Sequence, residues 1–168
     1  MMPDASKYYL SNYLDSTITC ISIGAPACND GSSTVAVKTI NLLLGGTGMA
    51  NYDPIVGTGF TTSGALPIQT PVSPNGKYVV TANTLTGTIT VIGTDTDTLV
   101  KVLPCDAGCH GVNFGAKDGG GYYASVSSKF SNRLTVVDPD PNNDGNPSDA
   151  RIAGSIILTA ANASTNFQ

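Results

Sequence analysis

Apolar and polar residues alternate in short runs along this chain, and the runs come in pairs. Thr88-Ile89-Thr90-Val91-Ile92 alternates with period two, and Ile18-Thr19-Cys20-Ile21 and Leu134-Thr135-Val136-Val137 are of the same kind. Period two is the signature of a half-buried strand, because successive side chains of a strand point to opposite faces. Each run follows a turn, an apolar strand and a polar Asn- or Ser-rich turn, so the pattern predicts one hairpin written three times. The segments superimpose without gaps from Met2-Pro3-Asp4-Ala5 through Asn12 to Ile18, from Ser73-Pro74-Asn75-Gly76 through Asn83 to Ile89, and from Gly121-Tyr122-Tyr123 through Ser128 to Leu134. A further strand is expected after each hairpin, over 35–44, 98–103 and 152–158. A short strand is expected before the second and third, near 68–73 and 110–114.

The equivalent positions Ile18, Ile89 and Leu134 are separated by 89 − 18 = 71 and 134 − 89 = 45 residues. A spacing near 45 is that of one four-stranded propeller blade, and 71 is one such period plus an insertion. The fold class expected is therefore all-β, a β-propeller segment of about three four-stranded antiparallel blades. One unit over 1–168 is expected, divided into a partial first blade (1–44), an inserted loop (45–66), a second blade (67–104), a third (105–158) and a connector (159–168). Three blades cannot close a ring, so the expected partners are remaining propeller blades or other subunits.

Ser73-Pro74-Asn75-Gly76-Lys77-Tyr78, with Ala82-Asn83 and Thr88-Ile89-Thr90-Val91-Ile92, resembles the YVTN family of propeller repeats. That family's blades run Ser-Pro-Asp-Gly-Lys-Tyr, strand, Asn, turn and a Thr-Val-Ser-Val-Ile-like strand. The resemblance covers nearly the whole chain outside 45–66 and 139–148. It implies a surface-layer or periplasmic propeller, with a distant likeness to the haem-bearing propeller of cytochrome nitrite reductases.

Composition narrows the partners. Charged residues are 12 % of the chain, the formal net charge is −4, and no Lys/Arg cluster is present, so nucleic acid and anionic membrane surfaces are not expected partners. No apolar run approaches the roughly 18 residues of a membrane span. The start Met1-Met2-Pro3-Asp4 lacks the basic-then-apolar pattern of a signal peptide, so any export signal is expected upstream. Nineteen glycines and an abundance of Thr, Ser and Asn favour tight turns over helices. Four cysteines in such a chain fit an oxidising, periplasmic or cell-surface location.

Chemistry concentrates at two places. Cys105-Asp106-Ala107-Gly108-Cys109-His110 is one residue longer than the motif that attaches c-type haem, and His110 is the chain's single histidine. Haem c held by Cys105, Cys109 and His110, with Met49 as a second axial ligand, would make an electron-transfer subunit. A disulfide between Cys105 and Cys109 is the preferred reading, and local pairing joins Cys20 to Cys28. Related repeats carry Pro-His-Gly-Val where Cys109-His110-Gly111-Val112 stands, which accounts for the histidine by the resemblance alone. Asp138-Pro139-Asp140-Pro141-Asn142-Asn143-Asp144-Gly145 has the alternating oxygen spacing of a calcium loop, through Asp140, Asn142 and Asp144 with Asp138 or Asp149 assisting. Arg151 stands at the twelfth position, where such loops place a closing acid, so a plain polar turn is the competing reading. The inserted loop carries Met49, Tyr52, Ile55 and Phe60, expected to pack on the body or on a partner. No catalytic constellation stands out, and the function expected is an extracytoplasmic binding or structural module without catalytic activity of its own.

Overall fold

The computed structural model describes residues 1–42 and 65–158. Of the inserted loop over 45–66 only residues 65 and 66 are described, and the rest of it, Met49 included, lies outside the described residues, as does the connector at 159–168.

Among the described residues twelve strands run β1 (Lys7–Asn12), β2 (Thr17–Ser22), β3 (Cys28–Asn29), β4 (Thr34–Val35), β5 (Val37–Asn41), β6 (Tyr78–Asn83), β7 (Thr88–Gly93), β8 (Thr98–Pro104), β9 (Cys109–Ala116), β10 (Tyr122–Ser128), β11 (Arg133–Asp138) and β12 (Arg151–Ile157). All pairings are antiparallel. The sheets are β1-β2-β5, the short ribbon β3-β4, β6-β7-β8, and β9-β10-β11-β12. The only helical element among the described residues is a single 3₁₀ turn, Pro147–Asp149, whose Ser148 N–H donates to the Asn146 side chain.

The chain is all-β, as expected, but three four-stranded blades are not what forms. One sheet has four strands and two have three, the sheets are open, and no ring closes among the described residues. Residues 68–73 are not a regular strand. They reach β6 only through the isolated bridges Pro67↔Asn83 and Val72↔Val79. Pro67 and Pro71 cannot donate to a ladder, so a continuous pairing is broken at two places within five residues.

The middle sheet is the filling. β6 and β7 are buried along their whole length because both faces are covered. Alternation sends Val79, Ile92 and Val102 to one side, where they meet Tyr9, Ile18, Cys20 and Ile40 of the first sheet. It sends Tyr78, Val80, Ile89 and Val91 to the other, against Val112, Ala124, Val126 and Val137 of the third. Each such aliphatic side chain taken fully from water stabilises the fold by about 1.5–3 kcal/mol. Some polar groups inside are paired locally, while Thr81 Oγ1 and Asn83 Oδ1 are buried without a partner. Asn83 donates to Thr88 Oγ1 and Thr90 Oγ1 at 2.9 and 2.8 Å, and Asn12 does the same to Thr17 and Thr19 at 2.8 and 2.7 Å, so each amide ties the two strands of its own hairpin.

The first sheet is fixed to the second by a buried charge. Asp97, fully buried in the turn before β8, accepts from Lys7 Nζ at 2.8 Å, from the Asn29 backbone N–H at 2.7 Å and from the Tyr9 hydroxyl. Lys7 also donates to the Thr94 carbonyl at 2.7 Å. Burial, reinforced by the neighbouring Asp97 carboxylate, holds the Tyr9 hydroxyl protonated far above its ordinary range.

Candidate functional site

The inner edges of the three sheets converge on the 68–71 segment. Thr70 Oγ1 donates to the Tyr9 carbonyl at 2.8 Å, and Ser11 Oγ donates to the Ile68 carbonyl at 3.1 Å, fastening the segment to β1. On the other side Gln69 Oε1 accepts from the Val112 N–H at 2.7 Å, fastening it to β9. The segment forms a ridge between two open clefts. One, of about 450 Å³, is lined by Tyr8, Leu10, Ser11, Ile68, Thr70 and Pro71 among others. The second, of about 390 Å³, is lined by Gln69, Gly111, Val112, Asn113, Ser125, Ser127 and Leu134.

A β-bulge shapes the second cleft. Val126 pairs with Val112 and Ser128 pairs with Cys109, so His110 and Gly111 together face Ser127. Ser127 Oγ closes the irregularity by accepting from the Gly111 N–H at 3.2 Å. A β-carbon at Gly111 would stand 2.8 Å from that oxygen, which is why the position needs glycine. His110 begins this bulge. Desolvation and the nearby Lys129 lower its pKa. Sequence reasoning singled out His110 but missed Gln69, Asn113, Ser125 and Ser127. None of these belongs to a motif, and only the strand register brings them together.

The cysteines divide into two kinds. Cys20 and Cys28 form a disulfide with a Cα–Cα distance of 6.1 Å, both fully buried. Their sulfurs lie beside Asp97, but sulfurs bonded to each other are not the thiolates a metal would require. Cys105 and Cys109, expected as a second disulfide, are two free thiols. Cys109 is fully buried in the core between the second and third sheets, its thiol directed at the Asn83 and Thr88 carbonyls at 3.5 and 3.4 Å. A sulfur so enclosed cannot reach a porphyrin edge. The haem arrangement through Cys105, Cys109 and His110 does not fit this core.

The acidic loop is closed by the chain itself. Lys117 Nζ donates to Asp138 Oδ1 and Oδ2 at 3.1 and 3.2 Å and to the Asp140 carbonyl at 2.9 Å. Asp140 spends both carboxylate oxygens on the Asp144 and Gly145 N–H groups, at 3.0 and 2.9 Å. Asn142 and Asp144 hydrogen bond to each other, and Asp149 stands apart on the 3₁₀ turn. Calcium at Asp138, Asp140, Asn142 and Asp144 would have to displace an ammonium already in place.

No family model matches the sequence, and no curated protein matches it. Among solved structures, the chain is similar to a crystal structure described as a "putative 6-phosphogluconolactonase" from Bacteroides uniformis. The two share 18 % identity at a TM-score of 0.58 over 94 % of this chain. These findings correct the YVTN assignment, which no family model supports. They also remove the ground for a module without catalytic activity and for an electron-transfer subunit, since the similar chain is described as an enzyme. No helix among the described residues is long and apolar enough to cross a membrane. At this identity the comparison shows a shared all-β fold, of which this chain spans 39 % of the neighbour's length.

Proposed function

We propose that this chain carries part of the substrate cleft of a hydrolase that opens sugar lactones. The carrying observation is the cleft beside the β9 bulge. Gln69, Asn113, Ser125 and Ser127 offer neutral donors and acceptors at its rim, the chemistry that recognises hydroxyl groups, within a fold similar to that of a chain described as a lactonase. The residues lining it carry no charge, which favours an uncharged sugar lactone over a phosphorylated one.

In this reading a water oxygen attacks the carbonyl carbon of a lactone held in the cleft and gives up a proton to solvent. The ring C–O bond then breaks, and the leaving alkoxide takes up a proton from solvent. Gln69 and Asn113 orient the ring hydroxyls. Tyr8, Leu10 and Val37 on the first sheet and Ile156 and Ile157 on β12 are exposed apolar groups suited to further sheets or subunits. An extracytoplasmic location accords with the buried Cys20–Cys28 disulfide.

The test is base uptake in a pH-stat with glucono-δ-lactone and its 6-phosphate, against the spontaneous rate. The expected result is acceleration of the unphosphorylated lactone, reduced in Asn113→Ala. Hydrolysis no faster than in buffer for either lactone would remove the proposal.

A further inference from the structure

The loop that joins the second sheet to the third holds two thiols in unlike settings. Cys105 is partly exposed and lines two open cavities, one of about 490 Å³ with Thr84, Leu85, Gly108 and Phe130, the other of about 320 Å³ with Asp106, Arg133 and Ser155. Cys109 is sealed in the core. The loop between them is held in place at both ends. Cys105 N–H donates to the Gly87 carbonyl at 2.8 Å, Cys109 N–H to the Asp106 carbonyl at 3.2 Å, and Thr84 Oγ1 to the Cys109 carbonyl at 2.7 Å. Gly108, at φ +76°, lets the chain turn back under the Phe130 ring.

We propose that Cys105 and Cys109 are a thiol–disulfide exchange site, in which Cys105 attacks an incoming disulfide from the open cavity and Cys109 resolves the product from within. The division of labour follows from access, since a disulfide-bearing molecule can reach the Cys105 sulfur and cannot reach that of Cys109. The electrostatics agree. Hydrogen bonding from the Cys109 side chain lowers the Cys105 pKa, and the same contact together with burial pushes the Cys109 thiol up. Ser128 Oγ lies 3.8 Å from Cys105 Sγ and adds to the stabilisation of the thiolate.

The step balances as follows. The Cys105 thiolate attacks one sulfur of R–S–S–R, the S–S bond breaks, and one RS⁻ leaves and takes up a proton. The Cys109 thiol then attacks Cys105 Sγ and expels the second thiol group, which leaves with the Cys109 proton as RSH. Two electrons pass from the protein dithiol to the disulfide, which ends as two RSH. Arg133 and Asp106, 3.9 Å apart at the rim of the smaller cavity, offer both charges to a zwitterionic disulfide such as oxidised glutathione. The Cys20–Cys28 pair, with both sulfurs fully buried, is an internal reference that the same reagent should leave alone.

The experiment equilibrates the folded protein in glutathione buffers of increasing oxidised fraction, quenches with N-ethylmaleimide and maps the products by mass. Wild type should move from two alkylated thiols to one Cys105–Cys109 disulfide, with Cys20–Cys28 unchanged throughout. Cys109→Ser should accumulate glutathione on Cys105, whereas Cys105→Ser should stay unmodified at Cys109. Wild type that keeps both thiols under excess oxidised glutathione would overturn the proposal, as would a Cys105→Ser protein glutathionylated at Cys109 as fast as Cys109→Ser is at Cys105. The wild-type arm decides even if a variant folds poorly.

Discussion

Replacing Asp97 by Asn removes one negative charge from a fully buried site and almost nothing else. The residue sits at φ +50°, a left-handed conformation that Asn tolerates about as well as Asp, so the backbone contributes little to the change. The hydrogen bonds can also be kept. The Asn carbonyl oxygen can take the place of Asp97 Oδ2 and accept from Lys7 Nζ and the Asn29 N–H, while its NH₂ donates to Tyr9, whose hydroxyl turns from donor to acceptor. What is lost is the partner of the Lys7 ammonium, which is 2 % exposed and retains only neutral acceptors. Breaking a buried pair from one side costs about 3–5 kcal/mol, and the retained hydrogen bonds place this variant near about 3. For a chain of this size that is a fall in Tm of about 6–12 °C. The protein has seven tyrosines and no tryptophan, so urea unfolding followed by tyrosine fluorescence and circular dichroism is the assay. Lys7→Met combined with Asp97→Asn should recover about 2 kcal/mol or more over the single variant, because the orphaned charge is gone. A single variant within about 1 kcal/mol of wild type, or a double variant no better than the single, would show that the Lys7–Asp97 pair does not hold the first two sheets together.

Other outcomes follow from equally local geometry. Asn83→Ala strands the Thr90 hydroxyl in the core and leaves that of Thr88 with Thr86 alone, and should cost about 1–3 kcal/mol in urea unfolding, more than Asn12→Ala, whose site is only half-buried. Gly108→Ala places a β-carbon 2.5 Å from the Phe130 ring at a positive φ, and should lower stability by at least about 1 kcal/mol while Gly119→Ala, which meets no atom within 4 Å, costs less. Asp30 accepts from the Ser32 and Ser33 N–H groups and the Ser32 hydroxyl, which hold its carboxyl down at about 2. Its folded pKa lies below the unfolded one, so its contribution is complete above about pH 4 and is lost as pH falls toward 2. Carboxyl carbon chemical shifts should show Asp30 titrating below the usual aspartate range, and an ordinary midpoint would remove the assignment.

Period-two alternation placed the strands because it reports which face of each strand is buried, and that is a local property. Ile18, Ile89 and Leu134 all fall in strands flanked by partners on both sides, β2, β7 and β11. The number of strands per sheet was less legible. Residues 68–73 read as a strand from their apolar content, yet Pro67 and Pro71 leave too few donors for a ladder, and the segment is held instead by side chains of Thr70, Ser11 and Gln69. The cleft was the least visible part. Gln69 and Ser127 lie 58 positions apart and meet only because a bulge turns β9 toward the ridge. Asp97 illustrates the same limit. In sequence it is a turn residue beside Asp95, and its burial depends on Lys7 arriving from 90 residues away. The cysteine spacing indicated the local pair Cys20–Cys28 correctly, but could not show that Cys109 faces inward and Cys105 outward.

The Lys117 ammonium in the acidic loop has a consequence for how that part of the molecule meets its surroundings. A counterion attached through the backbone cannot be diluted away or chelated, so the Asp138 carboxylate carries its own cation with it. With Lys117 and Asp138 both over nine-tenths shielded, added salt has little access to the pair. Evolutionary change at one end would then be constrained by the other. A neutral residue at 117 would leave the Asp138 carboxylate in want of a cation, and the loop would become sensitive to dissolved divalent ions for the first time.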